Sequence, residues 1–442
     1  MRRVTMKAAY ILVGVLVVVL VALATIYAQA TGQLQQLSEE LKKTKEDNEA
    51  LKNQISTLEK TAEQLKTALA QREEEIKKLQ QQLQQAPAAP RGLVYAAVRE
   101  GKTLYAYVID PASNQLIAKV DLNSTLGPEL REALMATLLA LERPSTVEVW
   151  TPRYFLPDLP YFIVMFENPK GSFAALIDRY TFREVKVMKT HDTYTRQYGG
   201  ITPDGRYLII SQRQAQRVVI IDLSTFAIVK TMELDANPCD AAPSPDGKYV
   251  LIPVRSDKDP KKPEYALVLE VPTGREVARY YFKRPGEETY TEPSMVLWSH
   301  YKPNYGLLQG EARPYEAVLE IDVKTGTAKL IKEVSYPSIA IIAVENPARE
   351  EVAVLVGEFG LYVRSLPPEY SVLKEVKLVP DYLKTAVQGV YSPDGRYFYL
   401  AGSGGLVVLD TSTWTVVKHF KADAALWVLS IPSGEWLKLY GK

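Results

Sequence analysis

The amino-acid sequence predicts a mainly β protein: a seven-bladed β-propeller preceded by an N-terminal transmembrane helix and a long α-helical coiled coil. Three observations predict this fold. An uncharged apolar run lies near the N-terminus, a heptad pattern of apolar residues follows it, and short β-rich units then recur towards the C-terminus. The chain of 442 residues is too long for one ordinary core, so several structural units are expected.

The first segment, residues 1–30, is predicted to be a cytoplasmic stub and a membrane anchor that contacts the lipid bilayer through residues 8–28. That run carries no charge, and as a helix it spans about 30 Å, the thickness of the hydrocarbon core. Arg2, Arg3 and Lys7 precede it, which keeps the N-terminus in the cytoplasm. We therefore expect a single-pass protein of the cell membrane with an extracytoplasmic propeller.

A signal peptide removed after Ala30 is the alternative for this segment. Ala28-Gln29-Ala30 has the small-x-small form of a cleavage site. The apolar region of a signal peptide is usually about 7–15 residues, however, and this run is longer. The pattern favours an uncleaved signal anchor and leaves cleavage open.

Residues 31–86 are predicted to form a parallel coiled-coil stalk. Apolar residues recur at a and d positions through residues 34–83, and Asn48 occupies one a position. A buried Asn is satisfied when it meets its counterpart, so Asn48 fixes the register of a parallel pair. We expect self-association as a dimer in preference to a trimer; a single long helix packed on its own domain is the alternative. A Pro/Ala linker, residues 87–92, ends the rod.

Residues 93–442 are predicted to form the propeller. The unit from Thr202 to Met232 opens with a Pro-Asp-Gly turn and holds three β-rich runs, a near copy runs from Ser392 to Phe420, and a third unit begins at Ser244. Each blade is marked by the residue that ends an apolar run before a polar turn. These markers are Asp110, Asp178, Asp222, Glu270, Asp322, Arg364 and Asp410, of which Arg364 departs from the acidic pattern.

Both ends of the chain are expected to share one blade. Leu426 to Ile431 reads as a strand without a following hairpin, as does Trp436 to Tyr440 more weakly, and Leu93 to Val120 reads as strands without a beginning. Pairing them closes the ring and leaves no exposed sheet edge. One insertion, residues 126–142, is predicted to be a helix that caps the propeller or contacts a partner or the rod.

The two best-defined units resemble YVTN-type β-propeller repeats of prokaryotic cell-envelope proteins. An archaeal envelope is favoured over a bacterial one. The matching residues are Asp204, Gly205, Asp222, Thr225 and Val229 in one unit and Asp394, Gly395, Asp410, Thr413 and Val417 in the other. The resemblance extends over about three blades. It implies a seven-bladed propeller used mainly for binding, and it carries over no catalytic residue.

Composition limits the kinds of partner and the cysteine chemistry expected of this chain. A net charge of +1 gives no electrostatic reason to expect nucleic acid. The single cysteine, Cys239, cannot form an internal disulfide and is expected to be a small buried residue. Few Cys and His residues together with many Lys and Glu suit a thermophile.

Candidate ligand residues lie in the loops that join consecutive blades, where propellers usually bind near the central channel. They are His191, Asp192, Arg196, Asp240, Glu292 and Asp381. Carboxylates around a channel suit Ca²⁺, but a solvated polar rim is the favoured interpretation, so no metal, cofactor or catalytic residue is assigned. The sequence lacks GxSxG, HExxH and P-loop motifs, and GxGxxG in a βα context.

The expected function is therefore binding or scaffolding without catalysis. A membrane-anchored stalk would present propeller heads to an envelope protein or a glycan, with avidity from multivalency. The alternative is an exported propeller enzyme, a lactonase-like hydrolase or an oxidoreductase, with its site in the central channel.

Overall fold

The computed structural model describes residues 58–67, 92–140, 149–150, 159–357, 360–377 and 382–432. The chain forms two compact units, Met1–Ala89 and Pro90–Lys442. The predicted membrane anchor, Asn48, linker residues 87–91, Asp381 and residues 436–440 lie outside the described residues. Within the described ranges, no helix has the length and hydropathy that a membrane span requires.

The described part of the first unit is a helix, α1, at residues 58–67 within the predicted stalk. Leu58, Ala62 and Leu65 are half-buried, whereas the other residues of α1 are exposed. These three occupy a and d positions of the predicted heptads, so the apolar stripe is present on one face of α1. Pairing of this stripe with a second chain stays a prediction.

The second unit consists of antiparallel sheets, and it begins with three neighbouring strands. They are β1 (Gly92–Glu100), β2 (Thr103–Asp110) and β3 (Gln115–Asp121). β1 thus starts one residue before the predicted boundary. A 3₁₀ turn at Leu122–Ser124 and the helix α2, Pro128–Ala140, follow.

Two four-stranded sheets come next along the chain. The first holds β4 (Val149–Trp150), β5 (Tyr161–Asn168), β6 (Gly171–Asp178) and β7 (Glu184–His191). The second holds β8 (Gln197–Ile201), β9 (Tyr207–Gln212), β10 (Arg217–Asp222) and β11 (Ala227–Glu233). In a five-stranded sheet, β14 pairs with two short strands and with β15. Its strands are β12 (Asn237–Pro238), β13 (Ala242–Pro243), β14 (Tyr249–Arg255), β15 (Glu264–Glu270) and β16 (Glu276–Lys283).

Two further four-stranded sheets and three more strands follow in the described part of the unit. The first sheet holds β17 (Pro293–Trp298), β18 (Tyr305–Gly310), β19 (Tyr315–Asp322) and β20 (Thr327–Ser335). The second holds β21 (Ala340–Glu345), β22 (Glu351–Val356), β23 (Gly360–Ser365) and β24 (Val372–Lys377). The last strands are β25 (Thr385–Tyr391), β26 (Tyr397–Asp410) and β27 (Thr415–Pro432).

The first and last strands of the unit pair with each other, as the sequence predicted. β27 is long enough to serve two partners: its first half pairs with β26 and its second half with β1. Val94 lies opposite Ser430, and Val98 lies opposite Ala425. The result is one six-stranded sheet in the order β25-β26-β27-β1-β2-β3.

The helix predicted at residues 126–142 is present as α2. Leu130, Leu134 and Leu138, which recur at helical spacing, are fully buried. They join an apolar cluster with residues of β1, β5 and β27, such as Phe162. The helix therefore covers the place where the sheet of the two chain ends meets the β4–β7 sheet.

The acidic marker residues cap their own hairpins. The carboxylate of Asp178 accepts hydrogen bonds from the N–H groups of Tyr180 (3.0 Å) and Thr181 (2.7 Å). Asp222 and Asp410 accept in the same way from the second residue after them, both at 2.8 Å. Four residues after each acidic marker the backbone turns left-handed, with φ between 50° and 72°, at Asn114, Phe182, Phe226, Gly274, Gly326 and Trp414. These residues therefore serve turns.

The marker chosen in the β23–β24 hairpin, Arg364, was wrong by one residue. Ser365 takes the turn position, because its N–H donates to the carbonyl of Ser371 (2.9 Å) as that of Asp178 donates to Arg183 (2.9 Å). Its hydroxyl accepts the N–H of Ser371 at 2.9 Å. This turn is one residue longer than the turn after Asp178, so the residue that ends the strand cannot be found from the spacing of the other hairpins.

The Ser/Thr-Pro-Asp-Gly turns share one geometry. The hydroxyl of Thr202 accepts the N–H of Tyr207 at 2.9 Å, and the equivalent distances are 3.0 Å after Ser244 and Ser392. The glycine of each turn has φ near 70°, where a side chain would be strained. Local turn chemistry thus sets the start of the second strand in these sheets.

The two ends of the sheets carry different connections, since neighbouring strands are antiparallel. We call the end with the turns at residues 202–207 and 222–227 the lower face. The end with the loops at residues 191–197 and 212–217 is the upper face. Consecutive sheets pack on one another, as β14 does on β17, β17 on β21 and β21 on β25.

Closure by β27 predicts a sharp effect of truncation. A chain that ends at Lys421 loses the half of β27 that pairs with β1, and with it Leu426 and Leu429. This exposes both the edge of β1 and its apolar residues Tyr95 and Ala97, which share a cluster with those leucines, so the chain should aggregate or melt at a much lower temperature. A chain that ends at Pro432 is the matched control. Equal melting temperatures for the two truncated chains would contradict the role of this strand.

Candidate functional site

A cluster of charged side chains lies on the upper face at the end of β14. We call it the Arg255 junction; its members are Arg213, Arg255, Asp257, Glu264, Glu292 and Glu311. The guanidinium of Arg255 donates to Glu292 (2.7 Å), lies 2.8 Å from Asp257 and donates to Glu311. Only 5% of Arg255 is exposed, so its charge is balanced by these carboxylates in place of water.

The junction ties three sheets together. Arg255 and Asp257 belong to the end of β14 and the loop after it, Glu292 precedes β17, and Glu311 follows β18. Arg213, in the loop after β9, donates to both oxygens of Asp257. Residues far apart in the sequence therefore meet through two guanidinium groups.

Glu292 is held in an anion site made by the neighbouring sheet. Its carboxylate accepts hydrogen bonds from the N–H groups of Asp257 (3.1 Å) and Lys258 (2.6 Å). Asp257 (φ 52°) and Lys258 (φ 61°) are both left-handed, which turns their amides to one side, and Glu292 itself has φ 51°. Three non-glycine residues in this conformation are costly, and the cluster of hydrogen bonds holds them there.

Glu264 and Glu292 share one hydroxyl. The Ser256 oxygen lies 2.7 Å from Glu264 and 2.8 Å from Glu292, but a hydroxyl has one proton to donate. Both contacts are hydrogen bonds only when one of these two acids is protonated. Burial raises the pKa of Glu264. Its effect is larger than that of the hydrogen bonds from Ser256 and from two backbone amides, which lower the pKa.

The other two acids of the junction stay ionised. Burial by itself would raise the pKa of Glu311, but the Arg255 guanidinium and the Ser294 hydroxyl outweigh it and lower that pKa. Burial likewise opposes ionisation of Asp257, and its hydrogen bond with Arg213 holds its pKa below the usual range. Within the junction, burial therefore raises the pKa of Glu264, whereas the two guanidinium groups hold the pKa values of Asp257 and Glu311 low.

Cys239 lies beside the junction and is buried, which confirms the expectation of a small buried residue. Its sulfur is 3.4 Å from the Ser294 hydroxyl. Burial raises the pKa of the thiol to about 11. Cys239 is therefore a neutral thiol at physiological pH and packs as an apolar group.

Five of the six ligand candidates from the sequence lie among the described residues, and they make different contacts. Glu292 alone belongs to the junction. Asp240 is buried and accepts the N–H of Ala241 at 2.9 Å, whereas Asp192 is exposed and pairs with Lys189 at 3.1 Å. In the same loop as Asp192, the ring of His191 contacts Thr193 at 3.1 Å.

Arg196 contacts the junction through its backbone, because its carbonyl accepts the N–H of Arg213 at 3.0 Å. The N–H of Arg196 donates to the Gln214 side chain at 2.7 Å, and Asp381 lies outside the described residues. Across the ranges that the structure describes, no three His, Cys, Asp or Glu side chains are grouped closely enough to hold a metal ion. These positions do not test whether the candidates form a solvated polar rim or a ligand site, so both stay predictions.

Sequence reasoning missed Arg255, Asp257, Glu264 and Glu311. Arg255 ends an apolar run and reads locally as the end of a strand. Its partners Glu292 and Glu311 follow 37 and 56 residues later, so no short motif joins them. The visible signal was the run of charges in Ser256 to Lys262 directly after a strand.

A second buried carboxylate, Glu345, lies on the lower face at the end of β21. It accepts the Ser299 hydroxyl and the N–H of His300 (2.8 Å) from the preceding sheet. Burial raises its pKa to about 7, although these donors favour the charged form. Burial also lowers the pKa of His300 to about 3, so that ring stays neutral and gives Glu345 no cation.

The chain can now be compared with known proteins. No family model matches it, and no curated protein matches it in sequence. Among solved structures, one of dihydro-heme d1 dehydrogenase NirN in complex with DHE is 14% identical with a TM-score of 0.51, covering 79% of this chain and 77% of that one. A chain of the mitotic checkpoint complex is 14% identical with a TM-score of 0.51, covering 72% and 86%.

A third match is the Cps50 (Swd1) β-propeller domain of Myceliophteria thermophila, 13% identical with a TM-score of 0.47, covering 64% of this chain and 88% of that one. The fold is a β-propeller. At these identities the similarity shows the fold alone, so function has to be argued from the residues of this chain.

The junction predicts a large loss of stability when its central cation is removed. Arg255→Gln leaves Glu292, Asp257 and Glu311 without their shared partner, and should lower the free energy of unfolding by about 3 kcal/mol. Arg275→Gln is the control, because Arg275 pairs with Glu270 at an exposed site and its loss should cost much less than the loss of Arg255. Denaturant unfolding that gave equal losses would contradict a cooperative junction.

Glu345 predicts a pH dependence of stability. Its pKa is raised from 4.5 to about 7 in the folded chain, so its contribution to stability is complete below about pH 4.5 and disappears as pH rises through about 7. The difference corresponds to about 3 kcal/mol. Glu345→Gln, which is neutral throughout, should flatten the profile between pH 5 and pH 8.5, whereas Glu288→Gln at an exposed site should leave it unchanged. An unaltered slope for Glu345→Gln would refute this assignment.

Proposed function

We propose that the protein is a non-enzymatic binding or scaffold protein whose recognition surface is the upper face around the Arg255 junction. The observation that carries the proposal is the mutual pairing of the junction's charges. Its acids and guanidinium groups are used in fixing loops of three sheets. A surface whose loops are already ordered loses less conformational entropy when a partner binds.

Two loops above the junction illustrate this ordering. Lys283, 1% exposed, donates from its ammonium group to the carbonyls of Asp259 (3.3 Å) and Lys262 (2.7 Å). The N–H of Gly286 donates to the carbonyl of Pro260 at 2.8 Å. The loop at residues 256–263 is therefore bound to the loop at residues 284–290, and together they present Lys258, Lys261, Glu287 and Glu288 to solvent.

The proposal includes the location and assembly expected from the sequence. Residues 8–28 anchor the chain in the cell membrane, residues 34–83 form a parallel dimeric stalk in preference to a trimer, and the head lies outside the cytoplasm in a prokaryotic envelope of YVTN type. The apolar stripe of α1 supports the stalk. Gly92, the first residue of β1, lies against Pro393 in a lower-face turn. The partner proposed for the upper face is an envelope protein or a glycan.

We also propose that the head has seven blades. The described residues form six hydrogen-bonded sheets, and the six-stranded one can be divided into two blades, since β27 changes partner from β26 to β1 along its length. The left-handed turn residue supports the same count. One left-handed residue follows each of the six acidic markers, and a seventh, Tyr370 (φ 44°), follows Ser365.

A photo-crosslinking amino acid at Lys261 in intact cells tests the recognition surface. We expect a discrete crosslinked species of constant mass, because Lys261 is exposed above the junction. The control is the same replacement at Lys248, which is exposed in a lower-face turn. No species from Lys261, or the same species from both positions, would contradict the proposal.

A further inference from the structure

A cavity of about 250 Å³ opens between β24 and the neighbouring sheet of β25, β26 and β27. The side chains that line its walls are mostly apolar and include Val376, Leu383, Ala386, Val407, Leu409 and Trp414. All six are buried and belong to one apolar cluster. The cavity therefore reaches from the surface into the packed interface of two sheets.

Its size separates this cavity from an ordinary packing defect. The space beside Tyr95 and Phe162, lined by apolar groups in another cluster, measures about 40 Å³. A cavity of about 150 Å³ lined by apolar groups holds one benzene ring and no water, so a volume of about 250 Å³ has room for about ten carbon atoms. Apolar walls give water few partners, so an apolar molecule is the better occupant.

The mouth of the cavity adds a charge. Lys377, the last residue of β24, lines it and is exposed, and Thr415 lies on the facing strand. The neighbouring lysine of β24, Lys374, is instead bound to the carbonyl of Thr413 at 2.8 Å. A ligand whose apolar body fills the interior can therefore place an anionic group at the Lys377 ammonium.

We propose that this cavity is a binding site for a small amphipathic carboxylic acid with an apolar body of about ten carbons. The apolar walls hold the aliphatic or aromatic body, and Lys377 selects the carboxylate. The ligand belongs neither to the upper face nor to the stalk, so the site stands independently of the binding function proposed above. Pockets that bury most of an apolar ligand beside one well-placed charge are the usual form of small-molecule sites.

The first test measures binding of 2-naphthoate by calorimetry to the full-length chain in one fixed membrane mimetic. The variant Ala386→Leu adds three carbons to a wall of the cavity. It should abolish binding and raise the melting temperature by a few degrees, because it fills space that the fold leaves open. The matched control is Ala340→Leu, where a 3%-exposed alanine of β21 lies in a packed cluster and the larger side chain should lower the melting temperature.

The second test concerns the charge. Lys377→Gln should weaken binding of 2-naphthoate about threefold to fivefold, the effect of one exposed ion pair, and should leave binding of uncharged 2-naphthalenemethanol unchanged. Each of three results would overturn the proposal: no saturable binding of 2-naphthoate to the unmodified chain, the same binding to Ala386→Leu, or a lower melting temperature for Ala386→Leu. Equal weakening of the acid and the alcohol by Lys377→Gln would overturn the assigned role of that lysine.

Discussion

Pairing of β27 with β1 is the constraint on which the head depends. In a propeller each sheet has only its two neighbours to bury its faces, so the first and last sheets remain half-covered until the ends of the chain meet. Here the meeting is a strand pairing that joins residues more than 300 positions apart in the chain. The loop-closure entropy of such a contact is large, and the burial of apolar residues on both strands offsets it. The exposed edge that β1 would otherwise present disappears in the same step.

Buried charges then fix how successive sheets meet. Arg255 joins the β14 and β17 sheets, and Glu345 binds a turn of the β17–β20 sheet. Glu316 accepts the hydroxyls of Tyr336 (2.8 Å) and Tyr370 (2.6 Å), while Arg364 donates to Tyr336 at 2.8 Å. Apolar packing alone tolerates small rotations of one sheet on another. A buried charge that must meet its partner does not, because leaving it unpaired is costly.

The sequence predicted the local parts of this structure well. A Pro-Asp-Gly turn or a capped hairpin is encoded by four to six adjacent residues, so Asp204, Asp222 and Asp410 could be placed from their neighbours alone. The helix α2 was visible because Leu130, Leu134 and Leu138 repeat at helical spacing. Even the error at Arg364 was local, since a turn one residue longer moved the marker to Ser365.

The sites were harder, since they depend on contacts between distant segments. Glu292 could be named because it lies in a loop between sheets, but nothing near it in the sequence indicates that Arg255 and the amide of Lys258 bind it. The charged group that orders the upper face therefore became visible only in three dimensions. The cavity beside Trp414 likewise follows from how far two sheets stand apart, which no spacing of residues records.

Hydrogen–deuterium exchange of the full-length chain tests the closed ring most directly. If β27 and β1 close the head, the amides of residues 94–98 and 425–430 should exchange only through global unfolding, as slowly as those of the central strands β9 and β10. Exchange of the first two segments at least a hundredfold faster than β9 and β10 would show that the ends of the chain open independently, and would contradict the account.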